Sequence, residues 1–421
     1  MFRHILPISA LLLGSALLVL AGGINTLILP VRGSHEGFSS FSLGLLGTGW
    51  AVGYIAGCLL TPKLVAKVGH IRAFGALCSL CAVAVLGSLI LMSPWTWIPL
   101  RGLSGFCFAG TAMIVESWLG ERATAANRGK VFGFYTMINL GATTAGQMML
   151  TLGDTTGYLF FVVAAMVYSF ALIPTAISST TTPKPLVSVR LDIRGLWRNS
   201  PVAVVAVMMI GVSNSAFGTL AAVYADRIGL VLATIALFTS LPILAGAAAQ
   251  IPVGALSDRM DRRKVLVGIS VVAICADLAF VLLHPQDATT NLIIAAVLGA
   301  AIYAMYPVIV AHANDHAAPD SYIQTSGGLL LLYGVGGIVG PLVAGFGMTN
   351  LNVSALFMTT MLAHTLIIVF TLWRMTQRPE VAIADKVDFA MSPLARSSTP
   401  ETAAFAKPDD EERPVTPELG Q

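Results

Sequence analysis

A small number of ionisable side chains interrupt the long apolar runs of this sequence. Arg101 and Glu116 lie within one such run, where a charge is costly and normally functional. Glu116 could bind and release a coupled proton. Alternatively, it could form an inner gate with a basic residue of segment 63–72 or segment 122–130. Arg101 could bind a solute or support proton transfer, or its side chain could extend to the nearer membrane interface.

Uncharged polar side chains in the same runs could hydrogen-bond or stack on a solute. Alternatively, any one of these polar side chains could form a hydrogen bond between two helices instead. Dicarboxylates and sugar phosphates generally need two or more basic residues in their site, and only Arg101 is available. We therefore expect a neutral or planar aromatic solute. The candidate solute-binding residues are Asn25, Arg101, Asn139, Asn214, Tyr303 and Tyr306.

A cluster of charge occupies the segment Gly254–Lys264, between two apolar runs of about lipid length. Helices joined by so short a segment must form a hairpin that returns to one side of a membrane. A weaker counterpart occupies Gly57–Arg72. These charges could pair with helix ends as an inner gate, a role compatible with simply orienting the loops. The candidates for coupling and gating are Glu116, Asp258, Arg259, Arg262, Lys67 and Arg72.

No pattern in the sequence indicates catalysis. There is no phosphate-binding Gly-x-x-x-x-Gly-Lys-Ser/Thr motif, no metal-ligand spacing and no nucleophile triad. Cys78 and Cys81 lie inside an apolar run, where cysteine acts as a small packing residue. We expect no enzymatic activity, no cofactor and no metal.

The composition indicates a membrane protein that crosses the bilayer many times. The chain of 421 residues is 56% hydrophobic and 11% charged, with a mean hydropathy of +0.81. A soluble domain carries about 25% charged residues. The expected partners are the lipid bilayer, a small-molecule substrate and, as an open point, a coupled proton. We expect no nucleic-acid partner, and a monomer in the inner membrane of a bacterium.

Apolar runs of about twenty residues, the length that crosses a bilayer, occur in two sets of six. They predict an all-α membrane protein with twelve transmembrane helices in two six-helix bundles, 1–177 and 201–375. A linker, 178–200, joins the bundles. The tail, 376–421, is polar and acidic, and we expect it to be disordered in the cytoplasm. The runs cover 5–30, 41–61, 73–92, 96–119, 131–152, 156–177, 201–224, 233–253, 265–283, 290–312, 323–346 and 352–373.

Basic residues concentrate in the loops after the even-numbered runs and in the linker. The opposite loops carry only Arg32 and Arg227. Because Lys and Arg accumulate in cytoplasmic loops, both termini are expected inside the cell. The basic residues on that side are Lys63, Lys67, Arg72, Arg122, Arg128, Lys130, Lys184, Arg190, Arg194, Arg198, Arg259, Arg262, Arg263 and Lys264.

Over about 1–375 this arrangement resembles the major facilitator superfamily. The superfamily's loop signature, Gly followed by Asp-Arg-x-Gly-Arg-Arg/Lys, is similar to Gly254–Lys264, except that Asp261 replaces the second Gly. Arg101 and Gly105 resemble the pattern of its fourth helix. Gly336, Gly340 and Pro341 resemble a Gly-x-x-x-Gly-Pro element that drug antiporters carry in helix 5 rather than helix 11.

The resemblance implies alternating access about a site near the bilayer midplane, lined by helices 1, 4, 7 and 10. Segments 69–74, 116–119 and 127–131 are similar to a bacterial branch of small permeases, to which riboflavin-uptake permeases of alphaproteobacteria are also similar. The leading hypothesis is uptake of a small neutral or weakly charged organic solute, with riboflavin as the best single candidate. The alternatives are proton-coupled efflux of drugs or metabolites, and a non-transporting solute sensor that signals through its tail.

Overall fold

Twelve long helices form the architecture of the described part of the chain. The structure, a computed structural model, describes residues 9–123, 127–177, 186, 192–318, 321–387, 389–391, 395 and 398–402. The first bundle contains α1 Ser9–His35, α2 Ser40–Val68, α3 His70–Ile90, α4 Pro94–Arg122, α5 Arg128–Met149 and α6 Leu159–Ile177.

The second bundle repeats this arrangement, so the prediction of twelve transmembrane helices in two six-helix bundles is confirmed. It contains α7 Pro201–Arg227, α8 Leu232–Arg259, α9 Arg262–Leu283, α10 Ala288–Asn314, α11 Tyr322–Asn350 and α12 Ala355–Met375. A short linker helix, Ile193–Asn199, precedes α7 and is capped by the side chain of Asp192. Much of linker 178–200 lies outside the described residues.

Within the described residues, eleven of the long helices are apolar enough to cross a membrane by length and composition, and α5 is the exception. The sequence of α5 contains Thr136, Asn139, Thr143 and Gln147, and all four line the space between the bundles. The fifth helix is therefore less apolar because part of its surface faces this polar space rather than lipid.

Glycine allows the closest helix crossings, and equivalent pairs recur in the two bundles. A Cβ placed on Gly146 of α5 would lie 2.2 Å from the carbonyl oxygen of Leu20 on α1. In the second bundle, a Cβ on Gly336 of α11 would lie 2.0 Å from the carbonyl oxygen of Met208 on α7. Backbones this close leave no room for a side chain, which is how helices pack tightly in a membrane.

The tail differs from the expectation of disorder over 376–421. Residues 376–387 lie along the end of the second bundle, and Ser398, Thr399 and Thr402 are buried. Hydrogen bonds to polar groups of the bundles offset the tail's low apolar content, which had suggested disorder. Residues 403–421 lie outside the described residues.

Candidate functional site

The central cavity lies between the two bundles. The empty space within it is about 1550 Å³, a figure that includes the part open to solvent. Beyond the expected helices 1, 4, 7 and 10, helices α2, α5, α6, α8 and α11 also contribute to the lining.

Among the described residues, the two charged side chains that line the cavity both come from α4. Arg101 is buried and donates from Nη2 to Thr26 Oγ1 of α1 at 3.3 Å. Glu116 follows fifteen residues later, about 22 Å along the helix axis. The cavity therefore has a positive end near the outer surface and an acidic end near the cytoplasm, with uncharged walls between them.

The first bundle supplies hydrogen-bonding groups to the middle of the cavity. Asn139 Oδ1 on α5 accepts from Ser15 Oγ on α1 at 2.9 Å. Thr136 and Thr143, which lie on either side of Asn139 along α5, also line the cavity. A solute in this position would meet amide and hydroxyl groups, which can donate or accept.

The second bundle presents an uncharged wall that is rich in rings. Phe217 of α7, Tyr303 of α10 and Tyr333 of α11 line it, together with Asn214, whose Nδ2 donates to the carbonyl of Ile302 at 3.4 Å. Aromatic faces provide stacking surfaces, and tyrosine hydroxyls add polar contacts at their edges.

Two candidate binding residues lie away from the cavity. Asn25 is buried in α1 without being part of the lining, and its Oδ1 has no hydrogen-bond partner among the described residues. Tyr306 lies behind the wall, with its ring 5.9 Å from that of Tyr333 in an edge-to-face arrangement. The structure thus brings Arg101, Asn139, Asn214 and Tyr303 together and leaves Asn25 and Tyr306 outside the group.

Glu116 is fully buried, and its hydrogen bonds within the described chain are to hydroxyl groups. Tyr135 of α5 donates at 3.2 Å, Thr399 at 2.5 Å and Thr402 at 2.8 Å. The expected partner of a gating Glu116 is a basic residue of segment 63–72 or segment 122–130, whereas the observed partners are one residue of α5 and two of the tail. They lie far away in sequence or on another helix, so local spacing could not reveal them.

The outer end of the cavity is closed by contacts between the bundles. Asp226 of α7 accepts from Ser34 of α1, and His35 Nε2 lies 3.6 Å from Asp226 Oδ1. Thr48 of α2 donates to the carbonyl of Ile338 of α11 at 2.8 Å. With the outer ends joined in this way, a solute could enter or leave only from the cytoplasmic side.

The charges of the loop between α8 and α9 pair within the second bundle. Arg262 is buried and binds Asp258 at 3.2 Å, Ser257 at 2.9 Å and Asp315 at 2.7 Å, and it also donates to the carbonyl of Val387 in the tail. These contacts hold the loop, the end of α10 and the tail together. None of them crosses to the first bundle.

The remaining gating candidates are exposed. Arg259, Lys67 and Arg72 all have exposed side chains in this structure. The gating role of these residues stays a prediction, and it would require the cytoplasmic ends of the bundles to approach in another state.

Asp261, the departure from the superfamily's loop signature, caps α9. Its Oδ1 accepts from the backbone N–H of Arg263 at 2.9 Å, and its Oδ2 lies 2.9 Å from Arg263 Nη2. Burial by itself would raise the pKa of this carboxyl group, but the hydrogen bonds and positive charge of Arg263 outweigh it and lower the pKa. The aspartate is therefore a charged partner for a buried arginine.

A second polar network lies inside the second bundle. His364 Nδ1 of α12 lies 3.1 Å from Asp277 Oδ2 of α9, and His364 Nε2 lies 2.9 Å from Ser213 Oγ of α7. Thr360 also donates to Asp277 Oδ1 at 2.7 Å. Each of these side chains is fully buried, and none lines the cavity. We interpret the network as a connection between three helices.

Sequence reasoning missed several residues of the cavity. Trp50, Phe108, Tyr135 and Tyr333 all line it but were not selected. Trp50 and Tyr333 belong to α2 and α11, which we had not expected to reach the cavity. For Tyr135, the available signal was the polar composition of its helix, α5, which also carries Asn139 and Gln147.

A sequence model described as the Major Facilitator Superfamily matches residues 11–290 and 203–397 of the chain. The chain is 26% identical over 355 residues to "Uncharacterized MFS-type transporter YcaD" of Escherichia fergusonii, covering 83% of this chain and 91% of the relative. An "Uncharacterized MFS-type transporter" of Yersinia pestis is 25% identical over 365 residues, with the same coverage.

Among solved structures, the nucleoside transporter NupG superposes with a TM-score of 0.72 and 12% identity, covering 88% of this chain and 98% of that one. A bacterial homolog of the human lysosomal transporter Spinster, in an inward-facing and occupied conformation, gives a TM-score of 0.69 and 15% identity, covering 91% and 98%. At these identities, the comparison shows a shared fold.

Proposed function

The chain belongs to the Major Facilitator Superfamily, a family of membrane transporters, and from this premise we propose that it moves a small neutral or weakly charged organic solute by alternating access. Uptake across a bacterial inner membrane is the direction we favour. The two bundles would rock about the central cavity, so that it opens to one side of the membrane at a time.

The observation that carries the proposal is the distribution of charge around the cavity. Arg101 and Glu116 lie at opposite ends, and the walls between them offer hydroxyls, amides and rings. A solute with a net charge would lose its hydration there without a nearby counter-charge. A flat ring system with polar edges could stack on Tyr303 or Tyr333 and bond to Asn139 or Asn214.

Riboflavin is the solute to test first, because it has such a ring and the permease-like segments suggested it. Nucleosides combine a ring with hydroxyl groups in the same way and are therefore the comparison solutes. The likeness to a nucleoside transporter concerns the fold alone, so it does not rank the two solutes.

The decisive experiment is labelled riboflavin uptake in a riboflavin auxotroph that expresses the chain, with and without a proton uncoupler. We expect saturable uptake and growth at low external riboflavin. Abolition of uptake by the uncoupler would identify a proton gradient as the energy source. Absence of uptake, despite confirmed expression in the membrane, would remove riboflavin and pass the test to nucleosides.

Variants of one residue type would locate the binding site. Tyr303→Ala removes a ring from the cavity wall and should raise the KM of the solute by roughly fivefold. Tyr158→Ala, at an exposed tyrosine between α5 and α6, is the matched control and should leave the KM unchanged. Equal KM values for the two variants would place the solute elsewhere.

Proton-coupled efflux of drugs or metabolites is the second candidate, favoured by one observation. Glu116 is a buried carboxylate in the cavity wall, and such a group can exchange a proton for a solute. Drug susceptibility of expressing cells tests this candidate. A solute sensor, the alternative from another class, would be rejected by transport with purified protein in liposomes.

A further inference from the structure

The described part of the C-terminal tail is fixed to the cytoplasmic end of the second bundle. Lys264 Nζ lies 3.1 Å from Glu380 Oε2, and Arg263 Nη1 donates to the carbonyl of Arg378 at 2.7 Å. Farther along, Lys386 donates to the carbonyl of Met260 at 2.6 Å. The tail therefore follows the loop between α8 and α9 as it leaves α12.

Two more contacts direct the tail towards the space between the bundles. The backbone N–H of Val387 donates to Asp315 Oδ1 at 3.0 Å, while the Val387 carbonyl accepts from Arg262. The ring of Phe389 then packs on Gly254 of α8, where an added Cβ would lie 2.4 Å from it. The glycine of the loop signature thus provides the surface on which the tail rests.

The tail then enters the interface between the bundles. We call its described residues there, Ala395 and 398–402, the mouth segment. Ala395 shares a small pocket with Trp50 and Tyr54 of α2 and Tyr333 of α11. The Tyr54 hydroxyl donates to the carbonyl of Ser398. Tyr54 lies fourteen residues before the cytoplasmic end of α2 at Val68, about 21 Å along the axis, so the segment reaches well into the protein.

The mouth segment also contacts Glu116 of α4. The hydroxyls of Thr399 and Thr402 both donate to Glu116 Oε2, and both threonines are at most 4% exposed. Polar tail residues are buried only where their hydrogen bonds are replaced. Here the replacement partner is a residue of the cavity wall, which places the segment across the cytoplasmic end of the cavity.

We propose that the mouth segment is an autoinhibitory plug, which occupies the cytoplasmic mouth of the cavity and must leave before solute can pass. The inference rests on the proposed transport function. The plug is tied to the second bundle through the tail and bonded to α2 and α4 of the first. It blocks the path of the solute and also prevents the cytoplasmic halves from closing, so one contact stops both steps of the cycle.

A cysteine in the cavity tests the plug without any transported solute. Thr136→Cys places a thiol in the lining, and a membrane-impermeant maleimide added to inside-out vesicles reports access from the cytoplasm. The native chain without this cysteine gives the background. Lys63→Cys, at an exposed residue of α2, controls for orientation and reagent.

Two truncations form a matched pair. A chain that ends after Met391 lacks the mouth segment, whereas a chain that ends after Thr402 keeps it. We expect Thr136→Cys to react at least tenfold faster in the shorter chain and to remain slow in the longer one. Equal rates in the full chain and the shorter truncation, with Lys63→Cys unchanged, would overturn the proposal.

Full-length variants cover the case in which the shorter chain does not fold. Thr399→Val and Thr402→Val remove one hydroxyl each and keep the shape of the side chain. Each should raise the ratio of open to plugged protein by about tenfold, since each lost hydrogen bond goes to a carboxylate. No increase in the labelling rate of the double variant would overturn the proposal even if the truncation were unstable.

Uptake of labelled riboflavin then tests whether the plug inhibits. The chain ending after Met391 should show a higher initial rate than the chain ending after Thr402. Inhibition would be contradicted if the chain ending after Met391 is labelled faster but takes up riboflavin at the same measurable rate as the chain ending after Thr402. If riboflavin is not transported at all, the labelling experiment still decides whether the segment fills the mouth, so the two failures are distinguishable.

Discussion

At the scale of single residues, the position of Glu116 suits both of the roles considered for it, and each role stays a prediction. It lies in the cavity wall, where a proton could be exchanged, and it accepts hydroxyl bonds from the tail, through which it would act in closure. The partners are hydroxyls rather than the expected basic side chains. A gate built this way depends on hydrogen bonds that can form and break without separating two buried charges.

The substitution Glu116→Gln separates these roles. An amide cannot release a proton, so we expect uncoupler-sensitive accumulation of solute to fall at least tenfold. The measurement belongs in the chain that ends after Met391, where the tail contact is absent from both proteins under comparison. Transport that stays fully pH-dependent and proton-driven in this variant would reject coupling through Glu116.

The Ser213–His364–Asp277 network predicts a large loss of stability for His364→Ala. The substitution leaves the buried Asp277 with Thr360 as its remaining hydrogen-bond partner in the described chain, which should cost about 3 kcal/mol. Thermal unfolding in detergent measures it. Thr365→Ala, at the exposed neighbour on α12, is the control, and equal melting temperatures for the two variants would contradict a structural role.

At the scale of elements, the loop between α8 and α9 depends on Asp261. Because its pKa lies below the ordinary value of 3.8 in the folded protein, its contribution is present above the unfolded pKa. That contribution is lost as the pH falls through the folded pKa. A glycine at this position, as in the superfamily's signature, could not make the contact with Arg263.

Asp261→Asn should therefore lower the melting temperature at neutral pH, because the buried Arg263 loses its charged partner. The difference between variant and parent should shrink at an acidic pH well below the ordinary aspartate value of 3.8, because protonation of the native carboxylate removes its charge. Thermal unfolding in detergent at both pH values checks this. A difference of the same size at both values would show that the charge of Asp261 does not matter.

Another prediction at this scale concerns the outer contact between α2 and α11. A Cβ on Gly44 would lie 2.3 Å from the carbonyl oxygen of Pro341, whereas a Cβ on Gly141 meets no atom of another element within 4 Å in the described chain. Alanine favours a helix over glycine by roughly 0.5–1 kcal/mol. Any loss of stability caused by Gly44→Ala must therefore come from the contact between the bundles.

We expect Gly44→Ala to force the outer ends apart and Gly141→Ala to have little effect. Thr219→Cys, in the outer part of the cavity lining, reports opening through labelling from outside intact cells. The labelling rate should rise several-fold with Gly44→Ala. Unchanged labelling would show that the α2–α11 contact does not hold the outer side closed.

At the scale of the whole molecule, the two bundles meet at their outer ends and the tail lies between them on the other side. This arrangement corresponds to an inward-facing transporter whose exit is filled by its own chain. In the lining that the structure describes, the charged residues come from the first bundle, and the second presents an uncharged, ring-rich wall. When one bundle rocks against the other, both kinds of surface would line the cavity, whichever side of the membrane it opens to.

The orientation of the whole molecule can be tested with reporter fusions. Alkaline phosphatase, which is active only outside the cytoplasm, should be active when fused after Pro285, in the loop between α9 and α10. It should be inactive when fused after Met260, in the basic loop between α8 and α9, because basic loops remain in the cytoplasm. The reverse pattern of activity would overturn the assigned topology.

The sequence by itself determined the fold class, the twelve transmembrane helices and the expected orientation. These properties follow from local composition, since a bilayer requires apolar runs of fixed length and basic loops remain on one side. The sequence also drew attention to Arg101, Glu116, Asn139, Asn214 and Tyr303, because polar residues in apolar runs stand out wherever they point.

Only the tertiary structure decided which of these residues meet. Glu116 contacts Thr402 across 286 positions of sequence, and Ser213 contacts His364 across 151. Asn25 and Tyr306 resemble the cavity residues in sequence but face other neighbours. Which side chains of a helix point into the cavity depends on how the helix packs against its neighbours. In a membrane the lipid-facing side of a helix is as apolar as its buried side, so the sequence does not show which side is buried.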